Sequence, residues 1–332
     1  MLKTGNKMER INMVFNLFAD SLETVIKKLS RYLNVSEKDI EHALRYGCSA
    51  QSFIEELKLN LCSFDSSNVN IVGRHVTTAS DEDLVYFYKM GLLNLSQSLQ
   101  ETTPLSSFLK QHQINIDVDN HWFFHKDKKI AIERNKDMYH ECFMGRDSIC
   151  SWTFGCEAFE KLSVLEDKLY RLGATLEFFI AGTIEEMLEY STVSRCPEIL
   201  DTLDQLLNAI YNKYSHCQYP LCCDWINKQV NCYIVEFESN LSNLETYNPI
   251  NYLEAYSQIK GCFSWSGITY NDYYNRKVPQ RVYDNKFLIE SIISVYVYNA
   301  NEQYGSLLPG LCIEPNKIKI YRVNKNKLVL MD

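Results

Sequence analysis

The chain has 332 residues, 46% of them hydrophobic and 23% charged, the make-up of a folded globular protein, which excludes a disordered or fibrous chain. Lys and Arg number 34 against 42 Asp and Glu, so the net charge is −8, a field that does not favour a general polyanion binder but leaves room for a local basic groove. At about 100–200 residues per domain, the length allows one large domain or two ordinary ones.

Residues 8–33 read as a helix, because Ile11, Val14, Phe15, Phe18, Leu22, Val25, Ile26, Leu29 and Leu33 recur at intervals of three and four. Ser36 with Asp39 resembles a capping box for a second helix ending at Gly47, and Ser49 can cap a third. Asn68–Thr77 alternates as a strand. Ser80 with Asp83 then caps a helix to Met90, which Gly91 ends. Thr103-Pro104 opens another short helix. Ile114–Val118, Trp122–His125 and Ile130–Glu133 read as strands, with a hairpin turn at Lys126-Asp127-Lys128-Lys129.

Glu157–Leu172, the segment after Thr183 and Pro197–Tyr214 read as helices, with a strand at Leu176–Ile180. The last third reads mostly as strand: Val230–Phe237, Val278–Tyr283, Phe287–Tyr298 and Lys317–Val323 are rich in β-branched and aromatic residues. Without regular strand–helix alternation, the expected fold class is α+β, with a small, mostly antiparallel split sheet. A helical N-terminal unit over 1–62 precedes a sheet domain over 63–332, with a helical insertion at about 157–228.

Ile11–Phe18, interrupted by Asn12 and Asn16, is too broken for a secretory signal, and no run reaches the ~18 apolar residues of a membrane span. A cytoplasmic protein with no membrane partner is expected. Its 12 cysteines are then read as thiols. Two clusters invite a metal reading: Cys142, Cys150 and Cys156, and His216, Cys217, Cys222, Cys223 and Cys232. Neither carries the paired spacing of a zinc site, so no metal ligand is assigned, and a Cys/His metal-binding protein stands as the third reading of function.

The segment that carries chemistry is Gly73-Arg74-His75-Val76-Thr77-Thr78. In a strand, Gly73, His75 and Thr77 share one face, which leaves room for a ligand against backbone and ring. Strand, His-x-Thr, capped helix and Gly91-Leu92 in that order resemble the first motif of the diphtheria-toxin-type (His-Tyr-Glu) ADP-ribosyltransferases. Lys277-Val278-Pro279 followed by Ile289–Val297 is similar to the closing strands of that group. The resemblance implies an ADP-ribosyltransferase-like fold, NAD as substrate, and transfer to a macromolecular acceptor, nucleic acid or protein, as in bacterial toxins and phage-defence effectors, with an antitoxin or regulator as a further partner.

It also implies that His75 bonds the nicotinamide-side ribose and Thr77 the nicotinamide pocket, with Gly73, Arg74 and Asn275 in the cofactor-binding set. Asn275 stands where the group carries its catalytic Glu. The reaction places positive charge on the ribose, which a carboxylate stabilises and an Asn does not. Glu302 is the expected catalytic residue, with Asp272 as an alternative. A fold that has lost activity and only binds is the second reading. Trp122, Phe123, Tyr139 and Trp152 all fall where the group has its middle aromatic, and none is assigned.

Overall fold

The computed structural model describes residues 12–46, 49–120, 122–131, 161–162, 164–165, 168–169, 174–211, 220–246, 279–325 and 327–331. They form a mixed α+β fold. The strands are β1 (Met13–Phe15), β2 (Val69–Ala79), β3 (Ile114–Asp117), β4 (Trp122–His125), β5 (Lys128–Ala131), β6 (Glu177–Gly182), β7 (Asn231–Asn240), β8 (Glu302–Ser306), β9 (Ile318–Asn324) and β10 (Lys327–Leu330). One sheet has the order β10-β9-β7-β2-β6-β8, with β1 beside β2, and a second has the order β3-β4-β5. β7–β9, β9–β10 and both pairs of the small sheet are antiparallel, and β1–β2 is parallel.

The chain divides into two compact units, each discontinuous in sequence. The first comprises Met1–Gly73, Phe178–Thr183 and Glu238–Ser306, and the second Arg74–Glu177, Ile184–Phe237 and Leu307–Asp332. The boundary expected at residue 62 falls inside the first unit.

In the first unit, helices α1 (Leu22–Leu33), α2 (Glu37–Tyr46) and α3 (Ala50–Glu56) follow β1. Over its described part, from residue 12, the single helix expected over 8–33 is therefore a strand, a turn and a shorter helix. The polar residues within that apolar pattern decide this. The Asn16 N–H donates to Asp20 Oδ2 at 2.9 Å and the Phe18 N–H to Asn16 Oδ1 at 3.2 Å, bonds that compete with helix formation. Ser21 then caps α1 by accepting from the Thr24 N–H at 3.2 Å. α1 buries Val25, Ile26, Leu29 and Leu33 and ends at Asn34, in the left-handed conformation at φ 52°.

A second correction concerns Phe287–Tyr298, expected as a strand. Residues 287–296 of it lie in a helix, Gln280–Tyr296, which also takes in 280–283 of the strand expected at Val278–Tyr283. Its buried Leu288, Ile289, Ile292 and Ile293 recur at helical spacing, and this packing overrides their β propensity. One turn earlier, Asp284 and Asn285 are also buried. Ser66 Oγ donates to Asp284 Oδ2 at 2.7 Å, while Thr246 Oγ1 and Gln280 Nε2 donate to Oδ1 at 2.7 and 3.0 Å. Asn285 accepts from the Tyr32 hydroxyl at 2.5 Å and donates to the Leu61 and Phe64 carbonyls. Tyr296 donates to the Asp20 carbonyl at 2.7 Å. These polar bonds tie the helix to the N-terminal segment.

The second unit contains α4 (Leu84–Met90), α5 (Leu95–Gln100), α6 (Pro104–Gln111), α7 (Ile184–Glu189), α8 (Glu198–Tyr211) and α9 (Leu221–Asn227); the helix Gln280–Tyr296 of the first unit is α10. Its core gathers Phe108, Leu109, Ile114, Phe123, Leu200, Leu203 and Trp225. Lys126 and Asp127 alone join β4 to β5, both at positive φ (50° and 58°), the geometry of a two-residue hairpin turn. The helix expected over Glu157–Leu172 and the turn at Gly47 lie wholly or largely outside the described residues.

Burial raises the pKa of Asp284, against the lowering effect of the Thr246, Ser66 and Gln280 bonds. A carboxyl whose folded pKa is raised contributes stability that is full below its unfolded pKa, about 4, and is lost as pH rises through the folded value. Asp284→Asn, which keeps the shape without the titration, should therefore gain stability relative to the parent as pH rises from about 4 to 7. Urea unfolding at several pH values measures this, and a constant difference between the two proteins would contradict it.

Candidate functional site

A cavity of about 450 Å³ opens in the second unit, lined by the end of β2, α4 and the Gly91–Leu93 turn, the first residues of α5, α6 and α8, Thr175–Glu177, and Trp225 of α9. That size is within the range of ligand sites. Each wall has a local cause. After β2, the Asp83 N–H donates to Ser80 Oγ at 3.2 Å, a turn that leads into α4. Gly91 ends α4 at φ 77°, and a Cβ there would overlap the Ile313 carbonyl. That close approach lets Leu92 and Ile313 exchange backbone bonds at 2.9 and 3.0 Å. Asn94 and Thr103 form capping boxes that start α5 and α6.

His75 and Thr77 are the expected site residues that line the cavity. The His75 Nδ1–H donates to the Glu177 carbonyl at 2.8 Å, which fixes the tautomer. Burial holds the pKa of His75 below its ordinary value, only partly offset by that bond. The ring is thus neutral near pH 7, and its Nε2 is a hydrogen-bond acceptor.

The other expected residues fall elsewhere. Gly73 is buried in β2 within the first unit. Arg74 points its guanidinium at Glu236, with Nε and Nη2 at 3.0 and 2.8 Å from Oε2. Glu302 belongs to the first unit, where it opens β8. Asn275 and Asp272 lie outside the described residues, as do Tyr139 and Trp152 among the aromatic candidates. Phe123 is core, and Trp122 is 36% exposed beneath the Lys129 ammonium, 4.2 Å from its ring centroid.

Several cavity residues were not singled out from sequence. Lys168 Nζ lies 3.0 Å from Glu198 Oε1, and both residues line the wall. Trp225 is buried, with its indole N–H donating to Thr78 Oγ1 at 3.0 Å and its ring edge-on to Phe108 at 5.1 Å. The Cys-rich run before it carries the local pattern of a metal cluster instead, which masks the role of Trp225. Cys196 and Cys222 form a disulfide with their Cα atoms 5.7 Å apart, which corrects the expectation that all the cysteines are thiols. A buried contact between residues 26 apart in sequence leaves no spacing signal.

Cys62, Cys223, Cys232 and Cys312 are free, and burial pushes the Cys232 thiol up to about 12. Cys142, Cys150, Cys156, His216 and Cys217 lie outside the described residues. Among the described residues no group of three His, Cys, Asp or Glu side chains is placed to hold a metal ion, and none of their helices is long and apolar enough to cross a membrane.

No protein-family model, curated protein or solved structure matches the chain.

Two substitutions test these walls. Trp225→Phe leaves the buried Thr78 hydroxyl without its donor and should cost about 1–3 kcal/mol in chemical denaturation. Gly91→Ala meets both the positive φ and the Ile313 carbonyl, so it should destabilise by more than the ~1 kcal/mol of an ordinary backbone penalty. Melting temperatures unchanged from the parent would contradict both.

Proposed function

We propose that the cavity binds NAD as a substrate and that the chain transfers ADP-ribose to a macromolecular acceptor, nucleic acid or protein. The observation that carries this reading is His75, neutral, held in one tautomer by the Glu177 carbonyl and set two residues from Thr77 in the cavity wall. An Nε2 acceptor so fixed suits a ribose hydroxyl donor, and the loss of freedom is met in advance by the fold. The apolar and aromatic part of the wall, including Phe87, Leu92 and Trp225, suits a flat heteroaromatic ring.

Cleavage breaks the bond between ribose C1′ and the nicotinamide nitrogen. Nicotinamide leaves with the bonding electrons, and positive charge develops on the ribose until the acceptor's nucleophile forms the new bond and gives up its proton. A carboxylate stabilises that charge and takes the proton. The matching position in the diphtheria-toxin-type transferases is Asn275 here, so we give this task to Glu302, with Asp272 as its alternative. A toxin or defence role is part of the same reading.

Nicotinamide release and NAD binding, measured together, test the proposal. His75→Ala should lower turnover by about 10²-fold or more, the scale of losing one fixed polar contact to a reacting centre. Glu302→Gln should retain NAD binding and lose turnover; full activity in Glu302→Gln with loss in Asp272→Asn moves the role to Asp272. Binding without release by the parent protein points to a fold that only binds, and neither binding nor release ends the reading. The neutral His75 ring also sets a pH profile: NAD affinity should persist as pH falls through about 6.5 and decline only below it.

A further inference from the structure

The Cys196–Cys222 disulfide joins two parts of the cavity wall. Cys196 is 2% exposed and directly precedes Pro197, Glu198 and Ile199, all lining residues. Cys222 is half-buried in α9, three residues before Trp225, which also lines the cavity and bonds Thr78 at the end of β2. Noncovalent contacts also join α9 to α8, where Leu221 and Trp225 pack in one core with Leu200, Leu203, Leu206 and Leu207. Asp204 of α8 accepts the Leu221 and Cys222 N–H groups at 2.9 and 3.0 Å, and burial raises the pKa of that carboxyl against these two bonds. Seven residues of α9 give it little helical stability of its own.

We infer that the oxidation state of Cys196 and Cys222 sets the ligand affinity of the cavity by fixing or releasing α9 and Trp225. The regulation acts on the site proposed above, but it requires only that the cavity bind a ligand. The co-reactant is a dithiol of the kind that maintains a reducing compartment. Its thiolate attacks Cys222 Sγ, the more accessible sulfur. The Cys196–Cys222 bond breaks, and Cys196 leaves as a thiolate that takes up a proton. The second thiol of the reductant then displaces Cys222 from the mixed disulfide, so two electrons and two protons enter the protein and the dithiol is oxidised to its disulfide. Oxidation of the pair runs in reverse, with a small-molecule disulfide as electron acceptor. In the bridged form α8 and α9 are held together and the wall is complete; in the dithiol form α9 keeps the Asp204 bonds, the His112–Asp224 contact and the burial of Leu221 and Trp225 but loses its covalent tie to the wall at Pro197–Ile199.

Two measurements on the full chain decide this, before and after reduction with dithiothreitol. Amide hydrogen exchange over residues 221–227 needs no ligand, and NAD binding reads the site. Reduction should speed exchange in α9 and weaken NAD binding by at least about fivefold, the low end of coupling between two sites. Cys196→Ser should match the reduced protein under both conditions, and Cys223→Ser should keep the full response. Equal exchange in the two redox states, or two free thiols at Cys196 and Cys222 under oxidising conditions, overturns the inference. If NAD binds neither form, that counts against the proposed function, and the exchange result alone decides the switch.

Discussion

A carboxyl group taken out of water persists only where donors meet it, and Asp284 shows how far the chain goes to meet that demand. Ser66, Thr246 and Gln280 supply its donors, and Asn285 beside it bonds Tyr32 and the carbonyls of Leu61 and Phe64. An apolar surface has many nearly equivalent ways to pack, but a buried polar group has few acceptable partners. The first unit therefore has one register for α10 against the N-terminal helices. The same requirement acts in the second unit, where Arg74 meets Glu236 and Trp225 meets Thr78.

This pairing also gives the cavity its character. One neighbouring β2 side chain is held by a partner on each side of His75: Arg74 through its ion pair and Thr78 through the indole. His75 itself is fixed through Nδ1. A side chain held this way presents its remaining nitrogen in a defined direction at little further entropic cost, which a surface histidine cannot do.

What could be read from the sequence followed what is local. β2 was legible because its alternating, β-branched residues need no distant partner to declare a strand. The Ser49 and Thr103 caps were legible for the same reason, and so was His75 with Thr77, two residues apart. α10 differs from the strand its sequence suggests because Ile, Val and Tyr in close succession favour a strand, while the packing of Leu288, Ile289, Ile292 and Ile293 and the bonds of Asp284 and Asn285 to Ser66 and Tyr32, more than 200 positions away, favour the helix. The helix read over 8–33 failed on Asn16 and Asp20, whose bonds to nearby backbone are stronger local instructions than the apolar spacing around them. Trp225, the Lys168–Glu198 pair and the disulfide were invisible for the reason that hid α10. The Trp225–Thr78 bond spans 147 positions.

The distance between Ser66 and Asp284 has a bearing on how the protein is made. The two residues are 218 positions apart, and at the roughly 5–20 residues per second of synthesis the ribosome needs about 10–40 s to pass from one to the other. Throughout that interval α3 and the Leu61–Ser63 turn, which α10 packs against, have emerged without it, so apolar surface such as that of Ile54 and Leu61 lacks its partner. A nascent polypeptide in that state is a natural client for chaperones that hold hydrophobic segments, and a rare-codon pause late in the message would prolong its exposure.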